Sequence, residues 1–544
     1  MITVNHKNLN VQIKILTLIS LVVILTACPA GQAIISDTDN NSNDSDGTNN
    51  DSNSNNDPNS TSNSNSQTPS TGTLTDTITT ASGITWHFTE KVQVGQFITG
   101  DYYVVGPVTI DAITPKPLYD NEVPQSEIGN CERSMRSDQA YIRNGFMLNP
   151  PISAKAAYDS GVRNNYDPSL RMHLPVSMKP GDALVSTISM SISDIVDKML
   201  GNSDGPTTTR DSLASGSNCN SSDYTPIRTA AILTCVDSML PADTFRPAFV
   251  SVAVPTHFYQ ASNIKHTLIP QVTCPSSLPD ADKFIRFVAR PWTSMGFFPF
   301  DRPAENMPVY GRETARVVGI SALMLMCGLP EAKQHALLYG LIQIGIDRFG
   351  MLEAGHTGWD AWGGHHSGYK FPIVLAGSLL GDDRMAAVSS TFSQAHFQED
   401  EQTGYGTHWY TGYGPLFMGH SGVNTLTGDP LDHGSHDWGP YEHKHPSTWI
   451  DDNNTSEGYR RCCSSLSWVG EALAMRMMHN ETNWGHDAWF AYVDRWMTEN
   501  EDEQVAIIDD KTGTNYTNAS WARQGQCWDK FVENMWALYR NNLP

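Results

Sequence analysis

Basic residues are scarce in this chain. Lys and Arg total 35 against 58 Asp and Glu, for a formal charge of -23. A general nucleic-acid binder carries a basic footprint, so that class is excluded. No apolar run reaches the ~20 residues that a membrane-spanning helix needs. Zinc-type cysteine spacing is missing too: none of the nine cysteines falls in a CxxC pattern. Apolar side chains vanish altogether between Ser36 and Thr73. Without them that stretch has nothing to bury and cannot form a core.

What is present begins with signals for export. Lys7 and Lys14 form a short basic region, and Ile13 to Leu25 is almost wholly apolar. A run this short, ending on small residues, reads as a signal peptide over residues 1–27. Leu25-Thr26-Ala27-Cys28 resembles a lipobox, the processing site of bacterial lipoproteins. That resemblance implies cleavage before Cys28, lipidation of its sulfur and acylation, as by palmitate, of the new amino group. Several acyl chains anchor stably, since each buried CH₂ contributes ~0.8 kcal/mol. Pro29 rather than Asp follows the cysteine, and resemblance to Gram-negative lipoproteins points to the outer membrane. An ordinary secretory signal with a chance cysteine is the alternative.

Residues 28–73 then read as the lipidated cysteine and an Asn/Ser/Asp-rich tether. As a flexible coil of ~40 residues it would hold the body roughly 35 Å from the lipid. Its Asp/Asn alternation lacks the Gly and terminal Glu of a calcium loop. From Leu74 the composition turns globular, and roughly 470 residues are too many for one small core, so two domains are expected.

Residues 74–289 carry strand signals. Ile84 to Phe88 alternates, as does Tyr102 to Val105, followed by Gly106-Pro107 and Val108-Thr109-Ile110. Helical periodicity is scarce there. Residues 290–544 read as helices: Glu313–Cys327, Glu331–Phe349, Phe371–Leu380, Arg384–Phe397, Ser465–His479, Trp484–Met497 and Asp529–Tyr539. Successive hairpins with short turns on one side and long loops on the other suggest an α/α toroid, with an irregular bundle as the alternative. The expected class is α+β and multidomain, a β-sandwich-like domain followed by an α/α-toroid catalytic domain. Eight cysteines beyond Cys28, in an oxidising compartment, imply some disulfides. Cys327 fits a buried free thiol equally well.

Two loops gather the chemistry. Ten of the 18 histidines lie between His356 and His445. The first loop, 350–370, holds Trp359, Trp362, His365, His366, Tyr369 and Lys370; the second, 399–463, holds His408, Trp409, Tyr413, Arg460 and Arg461. Loops this long in a compact body are usually functional. Their composition suits cleavage of an acidic polysaccharide by β-elimination. The uronate carboxylate must be neutralised before the neighbouring proton can leave; a base takes that proton and an acid protonates the departing oxygen. His365 or His366 would serve as base or carboxylate partner, and Tyr369 or Tyr413 as acid/base. Lys370, Arg460 or Arg461 would neutralise charge. Trp359 and Trp362 offer sugar platforms, and Asn306, Tyr310 and Arg312 precede the first helix as further substrate contacts with His408 and Trp409. The structural alternatives are packing for Tyr369 and ion pairs with Asp451 or Glu457 for the two arginines.

Architecture and residue types together resemble the α/α-toroid polysaccharide lyases that act on alginate, ulvan, heparin and related polymers. The resemblance covers roughly residues 291–544 and implies lyase activity on an acidic polysaccharide, with no cofactor required. In several such lyases the β-domain follows the toroid, whereas here it precedes it. A glycoside hydrolase would instead use two carboxylates ~5–9.5 Å apart, and Glu353, Asp360, Glu399, Asp400, Glu401 and Asp437 are candidates. His433, His436, Asp437, His443 and His445 have spacing that suits a divalent metal ion, which would also assist elimination. A non-catalytic, glycan-binding surface lipoprotein is the remaining class.

Overall fold

The computed structural model describes residues 72–118, 144–154, 172–189, 227–250, 257–275, 278–295, 303, 305–308, 311–419, 423–424, 429–430, 442–449, 457–458, 460–498, 502–513, 527 and 529–544. The signal peptide, Cys28, the tether, Tyr310, His433, His436, Asp437 and Asp451 lie outside the described residues.

Alternating burial at Trp86 and Phe88 makes one face of β2 (Thr85–Gln96) a core face. β1 (Thr73–Thr79) pairs antiparallel with it, and the register shifts between Thr75 and Thr77. The first part of β2 pairs with β4 (Val108–Thr114) and its last part with β3 (Tyr102–Val105). One eight-stranded sheet results. Its order is β5 (Phe146–Leu148), β7 (Ala183–Ser189), β8 (Ile227–Val236), β3, β2, β4 and β6 (Val176–Met178), with β1 on β2. Among the described residues of this sheet, β3 and β8 alone pair in parallel. The sheet curls, so Trp86, Ile110 and Val176 share a core with Val104, Leu184 and Leu233. The strands expected to form a sandwich-like unit are thus one curled sheet.

β7 and β8 are buried on both faces. Val185 and Ile232, one residue from Leu184 and Leu233, point the other way into the core of the helices. Polar bonds add to that apolar contact. Arg246 holds Asp347 with two hydrogen bonds (2.9 and 2.7 Å) and Asp101, in the β2–β3 turn, at 2.9 Å. Burial opposes its charge, but Asp347 and Asp101 outweigh that and raise its pKa.

Among the described residues twelve α-helices follow. α1 (Ala281–Val288) falls where strands were expected, burying Phe284 and Phe287. α2 (Gly311–Leu325), α3 (Glu331–Glu353) and α4 (Lys370–Leu380) match the apolar stretches closely. The expected helix Arg384–Phe397 is instead two single turns, α5 (Asp383–Ala386) and α6 (Val388–Thr391). Ala387 leaves helical geometry (φ -100, ψ 49), and Ser389, Ser390 and Thr391 are poor helix formers. After the short α7 (Gln398–Glu401), a π-helical turn at Arg460–Ser464 leads into α8 (Ser465–Met477). α9 (Glu481–Trp484), α10 (Asp487–Thr498), α11 (Asp502–Thr512) and α12 (Lys530–Tyr539) complete the body.

α2 packs on α8, far along the chain, while α3 packs on α1 and α4. Glycine permits the α2–α8 crossing: a Cβ at Gly319 would lie 2.7 Å from the Glu471 backbone nitrogen. Cys327, at the end of α2, is bonded to Cys274 rather than free. No helix among the described residues is long and apolar enough to cross a membrane.

Candidate functional site

The glycine-rich stretch between α3 and α4 is held by a short parallel bridge, β9 (Gly358–Trp359) against β10 (His396–Phe397). That bridge sets Asp360 and Ala361 beside α7. Glu401 Oε2 accepts from the Ala361 N–H at 2.7 Å, and its Oε1 lies 2.5 Å from His396 Nδ1. His366 Nδ1 lies 2.6 Å from the Asp360 carbonyl oxygen and 3.4 Å from its carboxylate. A carbonyl only accepts, so Nδ1 is the donor and a neutral His366 carries its lone pair on Nε2, in a side chain only 4% exposed. Two histidine–carboxylate pairs therefore flank one strand bridge. The Asp360 and His396 side chains remain 25% and 38% exposed.

Beneath this rim the loop is clamped. The Gly363 carbonyl accepts from Gln398 Nε2 (3.0 Å), Gln402 Nε2 (2.8 Å) and Ser464 Oγ (3.0 Å). Gln398 Oε1 accepts the His366 N–H, while Gln398 Nε2 and Trp468 Nε1 both donate to Ser367 Oγ. Gly368, at φ +87, donates its N–H to Glu399 Oε1; a Cβ there would meet the Ala315 backbone nitrogen at 2.4 Å. Only glycine fits that approach and that dihedral.

The electrostatics divide by depth. At the rim, the hydrogen bond that His396 donates to Glu401 raises the His396 pKa against the effect of burial, and Asp360 adds to the rise. Deeper, burial pushes His356 down to about 4 and Glu399 up to about 7. Glu471, on α8, is raised further by burial and by Glu399. Neither Glu471 oxygen nor Glu399 Oε2 has a hydrogen-bond partner.

No protein-family model, curated protein or solved structure matches this chain. Its residues alone carry the functional reading.

Most other sequence candidates are placed in packing. Trp359 is buried, stacked on Tyr369 at 5.4 Å, and so presents no face to a sugar. Tyr369 is itself buried under the Arg348 guanidinium. Lys370 is fully buried, paired with Asp400 at 2.5 Å and seated over the Trp484 ring. Arg312 bonds Glu313 at 2.7 Å inside the core, and buried Asn306 donates to the Arg290 carbonyl. Arg460 bonds Glu442 at 2.8 Å, and Arg461 pairs with Glu457, one of the two structural partners foreseen for these arginines.

The second loop is not structureless. β11 (Thr403–His408) and β12 (Gly412–Phe417) form an antiparallel hairpin whose turn is capped by buried His408, which accepts from the Tyr410 and Thr411 N–H groups. Trp409 packs against the small cluster of Val505 and Ile508. Tyr413 stands out on the hairpin, 79% exposed. His365 and Trp362 are half-buried at the rim. No group of three or more His, Cys, Asp or Glu among the described residues is arranged to hold a metal ion.

Of the hydrolase carboxylates, Glu353 pairs with Arg384 (2.6 Å), Glu399 is buried, and the partly exposed Asp400 pairs with Lys370. Asp360 and Glu401 form the rim. His396, Gln398 and Glu471 were not singled out. Glu471 did leave a signal, as a lone carboxylate in the apolar helix Ser465–Met477.

Proposed function

We propose that the chain cleaves an acidic, uronate-containing polysaccharide by β-elimination at the rim formed by Asp360, His365, His396 and Glu401, with His366 buried just beneath it. The observation behind this reading is the pair of histidine–carboxylate couples on the β9–β10 bridge. His396, favoured in its charged form by Glu401, neutralises the substrate carboxylate. A neutral imidazole of the His365–His366 pair takes the proton beside it, with His366 oriented through Asp360. Lys370, Arg460 and Arg461 are engaged in ion pairs, so the neutralising role moves to the imidazolium. Exposed Tyr413 is the remaining tyrosine for protonating the leaving oxygen.

The helical body fits an α/α toroid in that α2, α4 and α8 are buried almost throughout, as inner helices would be, with α3, α10 and α12 around them. Cys28 carries the lipid in this reading, and the enzyme works close to the outer membrane. Cys28→Ser should then move the protein from the membrane to the soluble fraction; unchanged membrane partition removes the anchor.

The decisive assay follows ultraviolet absorbance of the unsaturated product on a panel of uronate polymers. His366→Ala should lower turnover by about 10²–10⁴-fold. Glu401→Gln should move the alkaline limit of activity to lower pH, because His396 loses the partner that keeps it protonated. A second reading, hydrolysis, is favoured by the contact that brings Glu401 against the residue after Asp360. New reducing ends without ultraviolet absorbance would decide for it.

A further inference from the structure

Every side chain of the single helical turn α7 reaches the same loop. Glu401 accepts from the Ala361 N–H at 2.7 Å, Glu399 accepts from the Gly368 N–H at 2.6 Å, and Asp400 pairs with Lys370 at 2.5 Å. Gln398 takes the middle. Successive side chains leave a helix about 100° apart, so four in one turn point round the whole axis. A loop that wraps such a turn meets all four. Residues 361–370 are laid on α7 as on a template, and the histidine pair falls on the part that Gln398 holds.

Gln398 is fully buried and makes three bonds there. Its Oε1 accepts the His366 N–H at 2.8 Å, and its Nε2 donates to the Gly363 carbonyl at 3.0 Å and to Ser367 Oγ at 2.7 Å. A backbone N–H only donates and a carbonyl only accepts, so the amide fits one way round. These bonds bracket the histidines, with Gly363 before His365 and Ser367 after His366. Backbone closes the other side of the same stretch. Arg312 donates its N–H to the Gly364 carbonyl at 2.8 Å, and a Cβ at Gly311 would lie 2.2 Å from the His365 carbonyl. The loop is pressed between α2 and α7, so a displaced Gln398 displaces the histidines with it.

We propose that Gln398 is the positioning residue for the His365–His366 pair, fixing where the imidazoles stand relative to the Asp360 and Glu401 carboxylates. It acts through the backbone on either side of the pair and is itself sealed from substrate. Its effect on turnover rests on the lyase reading; its effect on the loop does not. Gln402 supplies the control. It is as buried as Gln398 and donates to the same Gly363 carbonyl at 2.8 Å, whereas the bonds to His366 and Ser367 belong to Gln398.

Two measurements on the purified full-length protein test it: amide hydrogen exchange across residues 361–370, and steady-state kinetics on the uronate polymer that the parent cleaves. Gln398→Met keeps the length of the side chain and removes its bonds. Protection of the His366 amide should fall by about tenfold or more, because its acceptor is gone. The same variant should lose about 10²-fold in kcat with KM little changed, since a shift of roughly 1 Å in a reacting group costs that much. Gln402→Met should leave both close to the parent's, because the Gly363 carbonyl keeps Gln398 and Ser464. Gln398→Glu keeps an acceptor for the His366 N–H, should bring the amide's protection back toward the parent's, and serves if the methionine variant folds poorly. Undiminished protection in Gln398→Met, no recovery in Gln398→Glu, or an equal loss of kcat in Gln402→Met would overturn the proposal. If the parent cleaves no uronate polymer, the lyase reading falls, and the exchange result alone decides whether Gln398 holds the histidines.

Discussion

Glu442 and the Glu399–Glu471 pair are equally buried, yet their surroundings drive them in opposite directions. Glu442 receives hydrogen bonds from Arg460 (2.8 Å), Arg495 (2.6 and 2.8 Å) and the Phe417 N–H (2.7 Å). Burial pushes its pKa up, but Arg495, Arg460 and His408 overcome that and hold it far below the usual carboxylate range. Glu399 has only backbone N–H donors against the same burial, and Glu471 has no partner at all. Depth does not decide the charge of a carboxyl group; the donors that accompany it do. One region is a closed ionic junction tying the β11–β12 hairpin to α10. The other is a pair of carboxyl groups under the histidine loop that burial biases toward the neutral form.

The largest effect is expected where that ionic junction is cut. Glu442→Ala leaves Arg495 and the buried Arg460 without their main anion. Breaking a buried pair in this way costs about 3–5 kcal/mol, more than removing both partners together. Urea unfolding at pH 7 measures it, and a loss below about 1 kcal/mol would mean that solvent reaches these arginines. The sign with pH follows from the depressed pKa. Glu442 contributes fully above the ordinary carboxylate range, and that contribution is lost progressively as the pH falls from there toward its own lower value.

Glu399 has the opposite sign. Its folded pKa is raised from 4.5 to about 7, so its contribution is full below the unfolded value and is lost as the pH rises through about 7. A rise of that size corresponds to roughly 3 kcal/mol lost at higher pH. Glu399→Gln keeps an acceptor for the Gly368 N–H but cannot ionise. It should therefore be more stable than the parent at pH 8 by up to roughly 3 kcal/mol and nearly equal at pH 4. Denaturation curves at the two pH values decide. An equal difference at both would show that Glu399 is already charged, or already neutral, across the range. Glu471→Gln should behave in the same sense, since burial and then Glu399 raise its pKa too.

Much of the helical body was legible in the sequence because burial there follows apolar runs. α2 and α8 begin and end within two residues of the stretches that announced them. The site was harder to read, for a physical reason. Gln398 to Gln402 is a run of five polar residues, which alone reads as solvated surface. It is buried in part because the loop above it supplies carbonyls, N–H groups and a serine that its side chains need. Those partners lie more than 30 residues away in the chain, and no local pattern encodes them. The same limit applied to Lys370 and Arg460: a basic residue in a functional-looking loop gives no sign of a buried anion waiting for it. The flanking glycines argued against a core role for His365 and His366, yet His366 is buried, its Nδ1 donating to the Asp360 carbonyl, and only His365 stays half-buried. Glu401 was legible only as one of several hydrolase carboxylates, and its pairing with His396 required the β9–β10 bridge to be seen.

The smallest effect separates the arginines from the third cation credited to Glu442. His408 Nε2 lies 3.8 Å from Glu442, too far for a hydrogen bond, and burial lowers its pKa so that it is neutral at pH 7. Its firm bonds are at the other nitrogen, where Nδ1 caps the hairpin turn. Asn in this position keeps an oxygen near the Nδ1 site, so His408→Asn preserves the cap and removes only the distant ring and its stacking on Trp409. The cost should be about 1 kcal/mol near pH 8 and should shrink as the pH falls below the ordinary histidine range, because the variant lacks an imidazole that the unfolded chain protonates more readily than the folded one. A loss as large as that of Glu442→Ala would instead mean that the imidazole is charged in the folded chain. The junction would then rest on three cations, and its contrast with the uncompensated Glu399–Glu471 layer would be sharper still.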